Sequence, residues 1–528
     1  MTAATVAAAF HDAVRAWHDR PFLCVADETA GRYHISPGEM TYGAAARAVA
    51  ALTVAYRAAG YGVGHRVGLM FENRPATFLH WLALNRIGAS VVPLGAELRP
   101  AELAYLVQHS GICLAVGTAA HLARLHGCAA AADDGPLPPA PSQSHDAEPN
   151  ATTECALVYT SGTTGKPKGC VLSNDYFLRC GRWYAGVGGL CALRPGEDRL
   201  LTPLPMTHVN AMAYSTVAMV LTGGCIILLD RFHPRSWWRT VRDSGATIMH
   251  SLGVMPTMLL GLDPSPDDRA HTVRFGFAPG IDPRYHAAFE QRFGIPMIDA
   301  WAMTETGGGA VVIASHEPRH IGRSCFGRVP PFMQHRIVDP SGADVDAGTP
   351  GELLVRAAGA DPRAGFFTEY LGDAAATEAA WEGGWFHTGD VVRSDADGNL
   401  HFVDRWKNVI RRSGENIAAA EVESVLRQHR LVGDVACAAV PDDLRGEEVL
   451  ACIVPRETIA DDTGAAQGIV AHALRELAYF KAPGYVAFVA ELPLTGTNKV
   501  QRGELKAWAQ CLPGTPRCID TRHLKRRT

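Results

Sequence analysis

The sequence has no surplus of either charge: 49 lysines and arginines stand against 54 aspartates and glutamates, for a formal net charge of -5 over 528 residues. That balance excludes a protein that works through a bulk positive field, as nucleic-acid binders do. The closing Lys525-Arg526-Arg527 run is too short to alter it and reads as a solvated tail. No C-x-x-C pair occurs among the 13 cysteines, which fall singly in apolar stretches such as 151–158 and 222–229. Disulfide and metal frameworks need clustered spacings, so reduced, mostly buried thiols of an intracellular protein are expected. The Ala-rich start (MTAATVAAAF) lacks a basic segment before it, which argues against a secretory leader and leaves the Asn150-Ala151-Thr152 sequon idle. The longest apolar stretch, 212–229, is broken by Gly223-Gly224 and reads as a core helix turning into a buried strand, not a membrane span. The expected location is the cytoplasm, with no nucleic-acid partner.

What remains is the composition of a globular enzyme, 47% hydrophobic and 20% charged. A chain of 528 residues is too long for one ordinary core, so at least two domains are expected. Strand-then-helix alternation begins at 66–71 (RVGLMF) with a helical pattern over 75–87, and continues with a strand at 90–93 and a helix over 100–108. It returns with a strand at 224–229, a helix over 234–244 and a strand at 247–250. This rhythm favours parallel sheets covered by helices. Residues 133–154, rich in Pro, Ala, Asp and Ser, read as an exposed loop. Near Asp404 the strand 401–403 meets a strongly charged stretch, followed by a helix over 419–428 and strands at 435–440 and 450–454. The expected boundary lies there, giving a large domain of 1–403 and a small one of 404–528.

The most informative segment follows the apolar strand 156–160, which ends on Thr160 and runs into Ser161-Gly162-Thr163-Thr164-Gly165-Lys166-Pro167-Lys168-Gly169. Glycines let backbone amides turn toward an anion, while the hydroxyls and Lys166 add donors. A proline follows Lys166 and the G-x-x-x-x-G-K spacing is absent, so this is not a Walker A loop. A merely polar glycine-rich turn is the alternative. Three hydroxyl residues and two lysines directly after a buried strand favour an anion cradle.

The stretch YTSGTTGKPKG resembles the signature loop of the adenylate-forming superfamily, which includes acyl-CoA synthetases, nonribosomal peptide adenylation domains and firefly luciferase. Further motifs follow in the family's order. Ala300-Trp301-Ala302-Met303-Thr304-Glu305 resembles Y-G-x-T-E, and Trp385-Phe386-His387-Thr388-Gly389-Asp390 resembles W-x-x-T-G-D. Residues 404–423 resemble the hinge and its loop, and 493–502 the C-terminal lysine motif. The resemblance implies an α/β fold: a large N-terminal domain of stacked α/β sheets and a small mobile C-terminal α+β domain. It also implies an ATP-dependent carboxylate–CoA ligase, an acid–thiol ligase that makes an acyl-adenylate with release of pyrophosphate and then a thioester with release of AMP.

Roles carry over residue by residue. Adenylation brings one anion against another, so fixed positive charge and Mg2+ must offset the repulsion. The resemblance places Thr160 and the loop Ser161, Gly162, Thr163, Thr164, Gly165 and Lys166 around the ATP phosphates. It gives Thr304 a phosphate contact and Glu305 the Mg2+, a carboxylate on a hard cation; capping of the following glycines is the alternative for Glu305. Trp301 stands where tyrosine is usual and would stack on adenine, unless it is a core tryptophan. Ala302 replaces the usual glycine. Gly276, Ala278 and Pro279 resemble the loop packed against adenine and the acyl group. Asp390 would accept the ribose hydroxyls, with Arg405 in support. Lys499, rather than standing as a surface lysine, would bridge the substrate carboxylate and the α-phosphate; Asn498 before it, in place of a frequent glycine, tolerates left-handed backbone. Asp404 would be the pivot that withdraws Lys499 and brings Ser413, Gly414 and Glu415 to coenzyme A. Asn408 stands where aspartate is common. His208, in PLPMTHVNA, matches a histidine beside the acyl pocket of many acyl-CoA synthetases; a structural histidine is the alternative.

Amino-acid adenylation domains usually carry an aspartate where this chain reads Thr207-His208-Val209-Asn210, and little chain follows the lysine motif to form a carrier domain. A stand-alone enzyme passing its acyl group to a carrier protein remains the alternative. An inactive homologue would be expected to lose Glu305, Asp390 or Lys499, and all are present. The wording DRWKNVIRRSGENI resembles the branch of carnitine- and crotonobetaine–CoA ligases most. The expected partner is a small-molecule carboxylic acid, with a homodimer as the candidate assembly. The expected acid pocket (Met206, His208, Val209, Asn210, Met212, 251–255 and Phe277) is of mixed polarity and leaves the acid open.

Overall fold

The computed structural model describes residues 3–525 except 97, 99, 161–166, 253–254, 406–407, 413–414, 443–444, 478 and 495–499. The chain divides into two compact units. The first takes in Met1–His335, Leu354–His387 and Asp397–His401; the second takes in Arg336–Leu353, Thr388–Ala396 and Phe402–Thr528.

Two seven-stranded sheets make up most of the first unit. One runs in the order Met297–Ile298, Phe275–Phe277, Ile248–His250, Arg199–Thr202, Cys225–Leu228, Pro21–Val25, Gly38–Thr41, parallel throughout except at the last pairing. The other runs Glu369–Tyr370, Lys168–Ser173, Glu154–Thr160, Ser90–Pro93, Arg66–Met70, Leu114–Gly117, Ala129–Ala132, with only its first two pairings antiparallel. Helices cover such sheets on both faces, which is why Cys225–Leu228 and Leu114–Gly117 are buried at every position and read as unbroken apolar runs. Trp237, Phe289 and Phe293 fill the space beside the first sheet. Each such side chain stabilises the unit by roughly 1.5–3 kcal/mol.

The expected strand–helix rhythm is present: Arg66–Met70 and then helix Pro75–Arg86, Ser90–Pro93 and then helix Pro100–Ser110, Cys225–Leu228 and then helix Trp237–Asp243 and strand Ile248–His250. The apolar stretch before Cys225 has more structure than a core helix. Its first segment, Asn210–Thr216, is a π-helix, because the hydroxyls of Ser215 and Thr216 donate to the carbonyls five residues back, at 2.9 and 2.7 Å. An α-helix, Val217–Thr222, follows and ends on Gly223 in the left-handed region at φ 67°. Only glycine fits there, since a Cβ would sit 2.3 Å from the Trp17 ring. Residues 133–153 form a mostly exposed loop without strand or helix, pinned by Ala140 N–H to Ala59 O (2.7 Å) and His145 N–H to Val63 O (2.9 Å).

The second unit is built on a six-stranded sheet ordered Glu415–Ala418, Val409–Arg412, Gly446–Pro455, Tyr485–Phe488, Cys518–Asp520, with Val432–Asp442 also paired to Gly446–Pro455 as a long hairpin. Helices Ala419–Leu426 and Asp462–Glu476 deliver Val422, Leu426, Ile469 and Val470 into a core with Val435, Val449 and Ile453. Mixed helices over an antiparallel-rich sheet make this unit α+β.

One reading of the terminus is corrected. Lys525 is not part of a solvated tail: its side chain is fully buried, with Nζ 2.5 Å from Glu448 Oε1 and 3.2 Å from Phe480 O. Glu448, also fully buried, accepts Arg412 Nε at 2.8 Å through its other oxygen. A buried carboxylate needs counter-charge, and the terminal lysine supplies part of it. Burial pulls Lys525 down to about 8 in spite of that carboxylate. All 13 cysteines are unpaired. Among the described residues no helix is long and apolar enough to cross a membrane.

Candidate active site

In an open parallel sheet, ligands collect beyond the carboxyl ends of the strands. In the first unit those ends include Thr202, His250, Phe277 and Ile298. Residue 278 begins the turn after Phe277, and Ala278 N–H donates to Ile298 O at 2.9 Å. Ala278 is buried in the core, Pro279 is half-buried and Gly280 is exposed. Gly276 lies inside the strand, where a Cβ would approach Met297 Sδ to 2.4 Å, so packing explains its missing side chain.

Asp299 ties this turn to the next segment. Its Oδ1 accepts from Gly280 N–H (2.8 Å) and Ala300 N–H (2.9 Å), with the side chain buried in the first unit. Burial pushes its carboxyl up to about 7, against those two hydrogen bonds. Ala300–Trp301 then pairs with Val312–Ile313, and the buried Trp301 indole lies 6.3 Å from the Phe326 ring, centroid to centroid.

The Thr304-Glu305 turn is held by tyrosines. Tyr176 OH donates to Thr304 O and Tyr214 OH to Gly307 O, both at 2.8 Å. The three glycines that follow are required by close approach: a Cβ on Gly307 would lie 2.1 Å from Tyr176, and one on Gly308 2.7 Å from the Arg179 backbone. Glu305 is buried, and its Oε1 accepts from Tyr370 OH at 2.9 Å. The glycine amides donate elsewhere, Gly307 N–H to Met303 O and Gly309 N–H to Thr306 O. Burial, and then Glu305, raises the Tyr370 phenol, which stays protonated as the donor. Lys168 Nζ sits 4.5 Å over the Tyr370 ring, so the end of the glycine-rich segment and Glu305 flank one aromatic ring. Thr160 ends its strand directly opposite Lys168. His208 is exposed and opens the turn before the π-helix, with its N–H on Pro205 O.

A separate group lies in the second unit. Thr388 Oγ1 donates to Leu353 O at 2.6 Å and accepts from Asp390 N–H at 3.0 Å, while Gly389 takes φ 64° between them. This turn inside the strand Phe386–Ser394 aims Asp390 at Arg405, whose Nε is 2.7 Å from Asp390 Oδ1. Asp404 Oδ1 accepts from Arg405 N–H (2.7 Å) and Oδ2 from Ala420 N–H (2.9 Å), at the start of helix Ala419–Leu426. Arg502 makes a two-pronged pair with Glu423 at 2.7 and 3.0 Å, joining the far ends of the hinge and lysine motifs. Glu415 begins the strand Glu415–Ala418. Ser161, Gly162, Thr163, Thr164, Gly165, Lys166, Ser413, Gly414 and Lys499 lie outside the described residues.

Residues 10–361 match the profile of the AMP-binding enzyme family, and residues 421–499 match that of the AMP-binding enzyme C-terminal domain. The chain belongs to the AMP-binding enzyme family. It is 33% identical to a sulfoacetate–CoA ligase of Cupriavidus necator over 93% of this chain and 96% of that protein. A crotonobetaine/carnitine–CoA ligase of Shigella sonnei is 30% identical over 85% of this chain and 89% of its own length. The fold is similar to that of o-succinylbenzoate CoA synthetase from Bacillus subtilis in complex with an acyl-adenylate, with a TM-score of 0.79 at 22% identity, covering 94% of this chain and 97% of that one.

Within this AMP-binding enzyme, two contributors escape motif reading. Asp299 is a lone acid between the apolar residues Pro296-Met297-Ile298 and Ala300-Trp301, and that isolation is the signal that marks it. Tyr370, the partner of Glu305, has no local signature at all.

Proposed function

We propose that the protein is an ATP-dependent carboxylate–CoA ligase. The substrate carboxylate oxygen attacks the α-phosphorus of ATP and pyrophosphate leaves; the thiolate of coenzyme A then attacks the acyl-adenylate carbonyl and AMP leaves. The observation that carries this reading is the 33% identity with a sulfoacetate–CoA ligase across 93% of the chain. The alignment leaves no room for a different activity in a large unmatched segment.

Glu305 supports Mg2+ binding. Among the described residues no cluster of three or more His, Cys, Asp or Glu is arranged to hold a metal. A single buried carboxylate whose neighbour is a neutral phenol fits Mg2+, an ion that draws most of its oxygens from phosphates and water. When bound, the ion would neutralise phosphate charge as pyrophosphate leaves. Thr304 and the loop 160–166 would hold the phosphates, and Trp301 beside the 276–279 turn would stack on adenine. Asp390, with Arg405 at its side, would accept the ribose hydroxyls.

Lys499 is assigned the transition-state contact between carboxylate and α-phosphate. We assign the large domain to 1–403 and the small one to 404–528, with Asp404 as pivot. Its carboxylate bonds both the next N–H and the start of helix Ala419–Leu426, so a backbone rotation at 404 would carry that helix with it. The rotation would exchange Lys499 for Ser413, Gly414 and Glu415 at coenzyme A. His208 would stand at the acid's entrance. Thirteen unpaired thiols support a reducing, cytoplasmic location.

The test is incubation with ATP, Mg2+ and a panel of carboxylic acids that includes sulfoacetate, carnitine and crotonobetaine, with and without coenzyme A. Mass spectrometry follows AMP, pyrophosphate and acyl-CoA. AMP and acyl-CoA should appear together for at least one acid, and Lys499→Ala should abolish adenylation. Pyrophosphate release with an acid but never an acyl-CoA would replace coenzyme A by a carrier protein as acceptor.

A further inference from the structure

At the carboxyl end of the strand Ile248–His250, His250 is fully buried and stacked on Phe277, 4.9 Å between centroids. Its Nε2 lies 2.9 Å from Tyr184 OH, and its Nδ1 lies 3.0 Å from Asn210 Oδ1 and 3.2 Å from Ser215 Oγ. Burial pulls the imidazole down to about 3, so it is neutral and carries one proton. The neighbours decide which nitrogen holds it. The Ser215 hydroxyl already donates to Asn210 O at 2.9 Å, so toward His250 it is an acceptor. Nδ1 therefore bears the hydrogen and shares it between Ser215 Oγ and Asn210 Oδ1. Nε2 accepts from Tyr184, whose phenol burial keeps protonated.

This network fixes one end of Asn210 and leaves the other. Its carboxamide oxygen is held by His250, and its backbone is held by the wide π-turn that Ser215 closes. π-turns inside helices concentrate at functional sites. The Asn210 side chain is only half-buried, and no acceptor among the described residues takes a hydrogen bond from its Nδ2. Beside His250, Ser251 carries a buried hydroxyl without a partner among the described residues. A buried donor of that kind calls for an explanation.

We propose that Asn210 is a specificity-determining residue: its locked carboxamide turns an NH2 group toward the acid, and the acid is one whose far end is an oxygen acceptor rather than an alkyl group. His250 is a positioning residue that holds the amide in that orientation. The proposal rests on the ligase reading and names the class of acid within it. A site built to donate hydrogen bonds discriminates strongly against an analogue that cannot accept them, because its donors are then buried unpaired.

The test is a competition between sulfoacetate and 3,3-dimethylbutanoate, two acids of one backbone length and similar tip volume whose tips differ in accepting hydrogen bonds and in charge. Both are supplied together with ATP, Mg2+ and coenzyme A, and the ratio of the two acyl products is read. A product ratio does not depend on how much enzyme is folded. Wild type should favour sulfoacetate by at least about tenfold. Asn210→Leu keeps roughly the volume and removes the donors without adding a charge that would repel the sulfonate, and should lower the ratio by about 10- to 100-fold. His250→Phe should lower it by a smaller factor, through the KM for sulfoacetate. A wild type that favours the alkyl acid, or an Asn210→Leu ratio equal to wild type, overturns the assignment. If wild type turns over no acid in the whole panel, the ligase reading itself falls.

Discussion

Two buried carboxylates, one in each unit, have opposite companions. Asp390 faces a cation, the Arg405 guanidinium, at 2.7 Å; Glu305 faces a neutral phenol, Tyr370, at 2.9 Å. A carboxylate beside an arginine has its charge balanced and acts on a ligand mainly through its lone pairs. One that accepts from a neutral phenol gains no opposite charge from that partner, a costly arrangement for a buried carboxylate unless a cation arrives. The first arrangement suits sugar hydroxyls, and the second suits a divalent ion.

The sharpest way to break this contrast is Glu305→Gln. The amide keeps an oxygen for Tyr370 and nearly the same volume, and it removes only the charge. Acid-dependent ATP–pyrophosphate exchange should fall by about 10²–10³-fold, with a raised requirement for Mg2+. Exchange within threefold of wild type would remove Glu305 from the metal. Asp390→Asn should do less: the KM for ATP should rise about tenfold while kcat and the Mg2+ requirement hold. Arg405 is 44% exposed, so water takes up its charge and the stability cost should stay under about 1 kcal/mol. A shift in Mg2+ dependence here would erase the distinction between the two carboxylates.

An effect on stability rather than on catalysis concerns a third carboxylate, whose companions are backbone amides alone. Asp299 has its folded pKa raised from 3.8 to about 7 by burial, so the folded state holds a proton that the unfolded state has released across that window. Its contribution is complete below pH 3.8 and is lost as pH rises to about 7. His250, lowered from 6.5 to about 3, runs the other way, and its contribution is lost as pH falls through that range. The two slopes offset each other in the wild type. Asp299→Asn should leave the histidine slope alone, so denaturant-measured stability relative to wild type should rise with pH by up to about 1.4 kcal/mol per unit between about pH 4 and 6.5. A constant difference between the two proteins would mean that Asp299 is ionised throughout.

Legibility followed the range of each interaction. The strand–helix rhythm and the motifs depend on neighbours a few residues apart, and the structure has elements at 66–70, 75–86 and 248–250 where the pattern puts them. Thr388-Gly389-Asp390 is of the same kind, since hydroxyl, left-handed glycine and carboxylate form one local turn. What escaped was long-range. Tyr370 finds Glu305 across 65 residues, and His250 finds Asn210 across 40. No spacing rule announces such pairs. The terminal lysine was misread for the same reason: a basic run looks solvated until its partner, buried far upstream, is known.

That lysine also sets an order of events. Glu448 is buried with Arg412 beside it, and Lys525, which completes its surroundings, arrives 77 residues later in the chain. Closing so long a loop is slow, and while it is open the carboxylate must stay wet. The sheet around Glu448 therefore gains the last part of its counter-charge only once residue 525 has been synthesised. As the chain emerges from the ribosome, the first unit has its long stretch through His335 available before the second can seal, so assembly runs from the first unit toward the second.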